Sequence, residues 1–287
     1  MFTGSDVVAL RQKTGAGILD CKKALTETDG DMDKAVDYLR EKGIATAAKK
    51  AGRIAAEGVC YAEVKGNTAV LVEVNCESDF VSKGEMFLAF VKEVAAYIFE
   101  HDVKDVEEVI EAMKGKTTEA IQKIGENIKI RRYEKYVSDQ AISTYIHMGG
   151  KIGVIVECAA GVSDETIHDV ALQIAAAKPL YVKDEEVPAD VIEKEKEILL
   201  AQIKNDEKLA NKPAQVIDKM VEGKVKKYYE ENCLLNQAFV KDPSVTVGAL
   251  LKKENSTVLR FTRYEMGEGL EKKTNDFAAE VEAQMKK

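Results

Sequence analysis

The sequence predicts an α+β protein with an N-terminal three-helix module, two repeated β-β-α-β subdomains with antiparallel sheets, an inserted antiparallel helical hairpin and a C-terminal helix. Three observations support this fold class. Apolar residues recur at helical spacing up to residue 53, alternate with period two after Gly58, and alternate again around Gly149. All four prolines lie beyond residue 178, so the first part of the chain contains no obligatory helix break.

Residues 1–53 are predicted to form a small module of three short amphipathic helices. Ser5 is a suitable cap for the first helix, which should stop at the glycine-containing segment Thr14 to Gly17. Asp31 can cap the third helix, and Gly43 occupies a position where a helix commonly ends. The glycines of this module lack the preceding strand that a dinucleotide-binding fingerprint requires.

Residues 54–138 are predicted to form the first β-β-α-β subdomain. Two alternating runs flank the turn at Lys65 to Asn67, which is typical of a β-hairpin. A helix is predicted from about Glu85 to Phe99, and a third strand at Ile128 to Tyr133. The inward-facing residues of the second strand and the helix are predicted to be Val70, Val72, Val74, Phe87, Phe90, Val91, Val94 and Ile98.

Residues 139–182 and 231–270 are predicted to repeat that subdomain. The segment Val154 to Glu157 aligns with Val70 to Glu73, and the segment Arg263 to Glu265 has the same sequence as Arg132 to Glu134. The same order of strands and helix is therefore expected in both copies.

The second copy contains an insertion. Val72 and Arg132 are 60 residues apart, whereas Val156 and Arg263 are 107 residues apart. Two amphipathic helical patterns account for the excess, so residues 183–230 are predicted to form a helical hairpin. Its polar turn is expected at Asn211 to Pro213, and residues 271–287 are predicted to form the C-terminal helix.

The first copy is longer at one place, between its second strand and its helix. Glu73 and Val91 are 18 residues apart, whereas the matching Glu157 and Ala171 are 14 apart. The longer loop runs from Asn75 to Val81 and contains an aromatic residue beside a carboxylate. Extra residues of this kind are typical of a binding loop.

Two interpretations of this loop remain open from the residues alone. Ser82 and Glu85 fit a capping box and Val81 can pack onto the helix, so the helix start is explained without Phe80. Phe80 could then pack into the local core while Asp79 caps a turn. Alternatively, Phe80 is an exposed aromatic wedge, the kind of side chain that dominates interfaces.

Composition excludes several classes of protein. The chain has 42 basic and 50 acidic residues, and a net charge of −8 argues against a phosphate-backbone binder. Five widely spaced cysteines indicate free thiols in a reducing compartment and match no zinc pattern. No apolar run is long enough for a membrane span, and no secretory signal is recognisable, so a cytoplasmic location is expected.

The same motifs resemble those of the bacterial and organellar elongation factor Ts family. The matching segments are Leu10-Arg11, Thr14 to Gly17, Asp20 to Leu25, Asn75-Cys76, Asp79 to Val81, His147, Gly149 to Val154 and Gly267 to Gly269. Ile18-Leu19 replaces the usual methionines, and Ser78 stands where the family commonly has threonine. These departures affect only the detail of contacts.

The resemblance implies a guanine-nucleotide exchange factor for elongation factor Tu, without catalytic chemistry, cofactor, metal, direct nucleic-acid contact or membrane contact. The partner would be bound in its GDP-bound and nucleotide-free forms, and some family members dimerise through the hairpin. The N-terminal module would resemble a ubiquitin-associated domain and contact the GTP-binding domain. The implied contact residues lie in three segments. They are Ser78, Asp79, Phe80 and Val81 in the loop implied to displace magnesium, Leu10, Arg11, Thr14, Gly15, Ala16 and Gly17 in the module, and His147, Gly149, Gly150 and Lys151 in the turn of the second subdomain.

Other functions remain open at this point. The chain could be an interaction scaffold without exchange activity, or an RNA binder acting through Lys49, Lys50 and Arg53. His147 could be an ordinary turn residue. An enzyme is the least favoured class, because no nucleophile, base and orienting group form a recognisable motif.

Overall fold

The computed structural model describes residues 2–206, 209 and 212–271 of the chain. Within these residues, helices surround separate antiparallel sheets, which confirms the α+β class. The helix predicted over 271–287 lies, apart from Glu271, outside the described residues, as does Asn211 of the predicted hairpin turn. No helix in the described part is both long and apolar enough to span a membrane.

The N-terminal module consists of α1 (Gly4–Thr14), α2 (Ile18–Glu27) and α3 (Met32–Lys50). Thr3, and not Ser5 as predicted, caps α1, because the Thr3 and Asp6 side chains bond reciprocally to each other's backbone N–H groups. Asp31 caps α3, as predicted, by accepting from two backbone N–H groups.

The prediction that α3 ends at Gly43 is wrong. The helix runs through Gly43 because this residue faces α6 (Val106–Ile124), where a Cβ would lie 2.8 Å from Oε1 of Gln122. Gly43 therefore lies at a close approach between two helices, with the end of the Gln122 side chain opposite it. The second half of α3 thereby packs the module against the first subdomain.

Each subdomain contains one three-stranded antiparallel sheet. The strands of the first sheet are β1 (Glu57–Lys65), β2 (Thr68–Cys76) and β3 (Lys129–Val137), and those of the second are β4 (Ala141–His147), β5 (Ile152–Cys158) and β8 (Val258–Glu265). Helix α5 (Glu85–Glu100) and α6 cover the first sheet, and α7 (Asp164–Ala177) packs on the second. All eight predicted inward-facing residues of the first subdomain are buried in its core.

The strand register corrects the predicted alignment of the two copies. Glu73 pairs with Arg132 and Glu157 pairs with Arg260, and each pairing is followed by a register irregularity. Arg260, and not Arg263, is therefore the equivalent of Arg132. A shift of the strand pairing by three residues would turn every side chain of that strand to the opposite face of the sheet. Local sequence identity alone therefore does not define the register.

The two sheets contact each other through reciprocal arginine–tyrosine stacking. The guanidinium carbon of Arg132 lies 4.1 Å from the ring centre of Tyr264, and that of Arg260 lies 3.9 Å from the ring centre of Tyr136. Leu71 and its equivalent Ile155 are buried in the same cluster between the sheets. Each arginine thus stacks on the tyrosine of the other copy, so an approximate local twofold axis relates the two copies.

The insertion in the second subdomain contains two helices, α8 (Ala189–Asn205) and α9 (Ala214–Asn232), which pack side by side as the predicted hairpin. With the corrected register, Val156 and its equivalent arginine are 104 residues apart, so the insertion is slightly shorter than predicted. A two-stranded sheet, β6 (Ala238–Phe239) and β7 (Asp242–Thr246), and α10 (Val247–Lys253) then lead to β8.

All five cysteines are buried and none forms a disulfide, which confirms the prediction of free thiols. Burial raises the pKa of the Cys60, Cys76 and Cys158 thiols to about 12, against an ordinary value of 9.0. We therefore expect the native protein to react very slowly with a thiol reagent at pH 8, and all five cysteines to react after unfolding in urea.

The same shifts predict a loss of stability at alkaline pH. Folding raises these three pKa values, so between pH 9 and 12 the thiols ionise in the unfolded chain before they ionise in the folded protein. The stability that the protonated thiols contribute is therefore complete below pH 9 and is lost as pH rises from 9 towards 12. Rapid labelling of the native protein at pH 8 would contradict the burial of these thiols.

Candidate functional site

Phe80 lies on a short helix, α4 (Asp79–Ser82), and its side chain is 84% exposed. The interpretation of Phe80 as a core residue is therefore wrong. Ser78 caps this helix by accepting from the backbone N–H of Val81 at 3.3 Å. We call Ser78 to Val81 the wedge segment.

The predicted capping box at the start of α5 is also wrong. Ser82 is buried and donates its hydroxyl to the carbonyl oxygen of Asp79, so it closes α4 and does not cap α5. α5 begins after Gly84 without a side-chain cap. Val81 packs against the core of the first subdomain, which leaves the preceding phenylalanine facing outward.

Asp79 is exposed beside the phenylalanine. Its carboxylate lies 2.9 Å from Nζ of Lys83, one turn further along the chain. The hydrogen bond and the charge of Lys83, with a smaller effect of Lys151, hold the pKa of Asp79 below its ordinary value. The wedge segment therefore carries a fixed negative charge beside an apolar ring at neutral pH.

The base of the wedge segment is bonded to the chain immediately before β3. The carboxylate of Glu126 accepts from the backbone N–H groups of Glu77 and Ser78 at 3.0 Å each, and from the Ser78 hydroxyl at 2.6 Å. In return, the carboxylate of Glu77 accepts from the backbone N–H of Asn127 at 2.7 Å. Two reciprocal contacts thus fix the residues from which α4 projects.

The turn of the second subdomain lies close to this base. Met148, Gly149 and Gly150 all have positive φ, and the carbonyl oxygen of Gly150 accepts from the backbone N–H of Cys60 at 2.7 Å. Nζ of Lys151 lies 2.7 Å from the carboxylate of Glu57, at the beginning of β1.

Glu57 pairs across the first sheet with Cys76, two residues before the wedge segment. The predicted loop and the predicted turn are therefore brought to the same end of the molecule. His147 accepts from or donates to the Tyr145 hydroxyl at 3.0 Å.

The predicted contact residues of the N-terminal module divide into two groups. Leu10 and Ala16 are buried in the core of the module, and Thr14 donates its hydroxyl to the carbonyl oxygen of Leu10. Gly15 adopts positive φ where α1 ends and lies against Lys123 near the end of α6. Arg11 and Gly17 are exposed.

Sequence reasoning missed several residues of this surface. Met148 in the turn is 71% exposed and could have been found from its position between His147 and Gly149. Leu19, by contrast, is visible in the sequence as a departure from the family pattern that affects contacts, and it is 82% exposed. Glu126 and Asn127 offered no sequence signal, because their partners are about fifty residues away.

The described residues contain no group of three or more His, Cys, Asp or Glu side chains arranged to hold a metal ion. The surface instead combines an exposed aromatic ring, a carboxylate, a lysine and exposed apolar side chains. Such a combination is typical of a protein–protein interface.

Residues 77–268 match the protein-family model described as Elongation factor TS. The matched segment begins one residue before the wedge segment and includes β3 of the first sheet, the whole second three-stranded sheet and the helical hairpin.

Proposed function

Because the chain belongs to the elongation factor Ts family, whose members promote nucleotide exchange on elongation factor Tu during translation elongation, we propose that the wedge segment and the turn at residues 147–151 form one surface for that partner. The observation that carries the proposal is the exposure of Phe80 above a hydrogen-bonded base. An aromatic ring that projects from a hydrogen-bonded base is the kind of side chain that acts as an anchor in an interface.

In the proposed mechanism, Asp79 and Phe80 insert between helices of the partner's GTP-binding domain, near the bound magnesium. Displacing the metal removes a positive charge that holds the β-phosphate of GDP, so the nucleotide dissociates faster. Asp79 is ionised at neutral pH, because the hydrogen bond and charge of Lys83 hold its pKa below the ordinary value.

No energy source is needed for this reaction. The factor binds the nucleotide-free partner more tightly than the GDP-bound partner, so GDP and the factor each lower the other's affinity by the same free energy. GTP then replaces GDP because it binds the open site and releases the factor.

Two further contacts are proposed with the same partner. His147, Gly149, Gly150 and Lys151 would contact a second domain, which their position beside the wedge base supports. In the N-terminal module, Arg11 and Gly17 would contact the GTP-binding domain, while Leu10, Thr14, Gly15 and Ala16 hold the loop in shape.

We also propose that the hairpin can join two copies of the chain. No residue of α9 is buried within the chain, and a groove beside it is lined by charged side chains and by apolar side chains of both helices. The apolar side chains of the two helices in this groove are Leu200, Val221, Val225 and Tyr229. The proposed units remain residues 1–53, 54–138, 139–182 with 231–270, 183–230 and 271–287.

The proposed function is tested by the release of a fluorescent GDP analogue from purified elongation factor Tu in the presence of magnesium. We expect the protein to accelerate release by up to about 150-fold, the upper end of the roughly 5-fold to 150-fold range that coupling free energies of about 1–3 kcal/mol give. Excess unlabelled GDP in the absence of the factor gives the basal rate.

Two outcomes would contradict the proposal. Binding of elongation factor Tu without faster release would indicate an interaction scaffold. Strongly salt-dependent binding of RNA, with no effect on GDP release, would favour a nucleic-acid binder instead.

A further inference from the structure

Glu126 accepts from both backbone N–H groups at the base of the wedge segment. In the described part of the chain, no other side chain outside the wedge segment and its flanking residues does so. One carboxylate oxygen accepts from the N–H groups of Glu77 and Ser78, and the other accepts from the Ser78 hydroxyl. These three bonds act on the two residues that directly precede Asp79.

Glu126 is itself held in place. It follows Gly125, which ends α6 in a left-handed conformation and whose carbonyl oxygen accepts from Nζ of Lys50. It precedes Asn127, whose side-chain amide donates to the carbonyl oxygen of Arg53 at 2.8 Å. The segment between α6 and β3 is therefore bonded both to the wedge base and to the chain that leaves the N-terminal module.

The second subdomain contains the same arrangement without a wedge. The carboxylate of Glu254 accepts from the backbone N–H of Ser163 at 2.7 Å and from its hydroxyl at 3.1 Å. Glu126 and Glu254 each precede the equivalent arginine of the following strand, Arg132 or Arg260, by six residues. The glutamate is therefore an equivalent anchor in both copies.

The two anchors hold different structures. Ser163 caps α7, which continues for 14 residues and packs along its length on the second sheet. Ser78 caps α4, which has four residues and ends before Gly84. A single helical turn is not stable alone, so the orientation of α4 depends on the groups that hold its first residues.

We propose that Glu126 is a positioning residue for nucleotide exchange, which fixes the direction of Phe80 by anchoring the first residues of α4. This inference rests on the proposed function of the wedge segment. Because the exposed ring has little packing of its own, loss of the anchor would let α4 sample several orientations, and binding would then have to restrict them.

The test compares Glu126→Ala, Glu126→Gln and Glu254→Ala in the full chain. Glu126→Ala should lower the maximal rate of GDP release by about tenfold, within the range that misplacement of a working group produces. Glu126→Gln should retain most of the rate, since its amide oxygen can accept from both N–H groups and its NH₂ can donate to Ser78. Glu254→Ala removes the equivalent anchor and should lower stability in urea without slowing exchange.

Hydrogen exchange provides a readout that does not involve the partner. The backbone amide of Ser78 should lose protection in Glu126→Ala and keep it in Glu126→Gln, while amides of the second strand remain protected in both. Unchanged protection of Ser78 in Glu126→Ala would overturn the inference. So would an equal slowing of exchange by Glu254→Ala.

A double variant separates this inference from the proposed function. If Glu126 acts through Phe80, then Glu126→Ala should slow exchange no further in a chain that already carries Phe80→Ala. A full additional loss would overturn the inference, as would a wild-type rate for Glu126→Ala when Phe80→Ala is slow. If Phe80→Ala itself retains the wild-type rate, the wedge function fails and the inference fails with it.

Discussion

Phe80→Ala is expected to slow GDP release from elongation factor Tu by about 30-fold or more, which corresponds to the roughly 2 kcal/mol or more that an interface hot spot contributes. The ring is 84% exposed in the free protein and would be covered only in the complex. Stopped-flow measurements over a range of factor concentrations would show whether the substitution lowers the maximal rate of GDP release or raises the factor concentration at which half of that rate is reached.

The free energy of unfolding should hardly change in this variant, by less than about 0.5 kcal/mol, because an exposed side chain contributes little to folding. Ile110→Ala is a suitable control, since Ile110 is a partly exposed apolar residue near the start of α6. The wedge base is bonded to Glu126, which follows the opposite end of that helix. Ile110→Ala should affect neither exchange nor stability appreciably. Parallel losses of exchange and stability in Phe80→Ala would indicate that the ring packs within the protein.

Glu73→Ala is expected to destabilise the fold by about 3–5 kcal/mol, as is typical when one partner of a buried ion pair is removed. The Glu73 side chain is fully buried and lies 2.9 Å from Arg131 and 2.6 Å from Arg132. It also accepts from the backbone N–H of Gly267 at 2.8 Å. The substitution would leave two partly buried guanidinium groups and one backbone donor without this carboxylate.

Urea unfolding followed by circular dichroism measures this effect. Glu157→Ala is the matched control, because Glu157 is the equivalent residue of the second subdomain and pairs with one arginine, Arg260, among the described residues. We expect a smaller loss there, about 1–3 kcal/mol, since fewer hydrogen bonds to a charged group are removed. A loss below about 1 kcal/mol in Glu73→Ala would contradict the role of this carboxylate in joining the elements of the core.

Local patterns were sufficient to predict the main elements of the fold. Alternation of Val70, Val72 and Val74 gave the buried face of the second strand, and the match of Val154 to Glu157 gave the second copy. Both signals arise from the period of two that every half-buried strand imposes on its sequence. The insertion followed from the difference in spacing alone.

The wrong predictions concern contacts between distant segments or choices between neighbouring residues. Thr3 and Ser5 are both able to cap a helix, and only the structure shows which hydroxyl meets a free N–H group. Gly43 is a residue type that commonly ends a helix, but here it lies inside α3 at a point of close contact with α6. The strand pairing places Arg260 opposite Glu157, three residues from the position that the matching letters indicate.

The candidate site was predicted in part. The extra length of the loop and the aromatic residue in it were visible in the sequence, but the capping argument that left Phe80 free was incorrect. Phe80 is exposed because Ser78 begins a separate helical turn and Val81 packs inward. Glu126 could not be identified, since its bonds to Glu77 and Ser78 depend on the tertiary fold.

The reciprocal stacking of Arg132 on Tyr264 and Arg260 on Tyr136 has a mechanical consequence. Each sheet holds the other at two symmetric points, so the span between the wedge segment in one copy and the turn in the other is set by a stiff frame. We therefore expect the factor to keep the distance between these two contact regions when it binds, so that a partner that does not match this distance in its free form has to change its own shape.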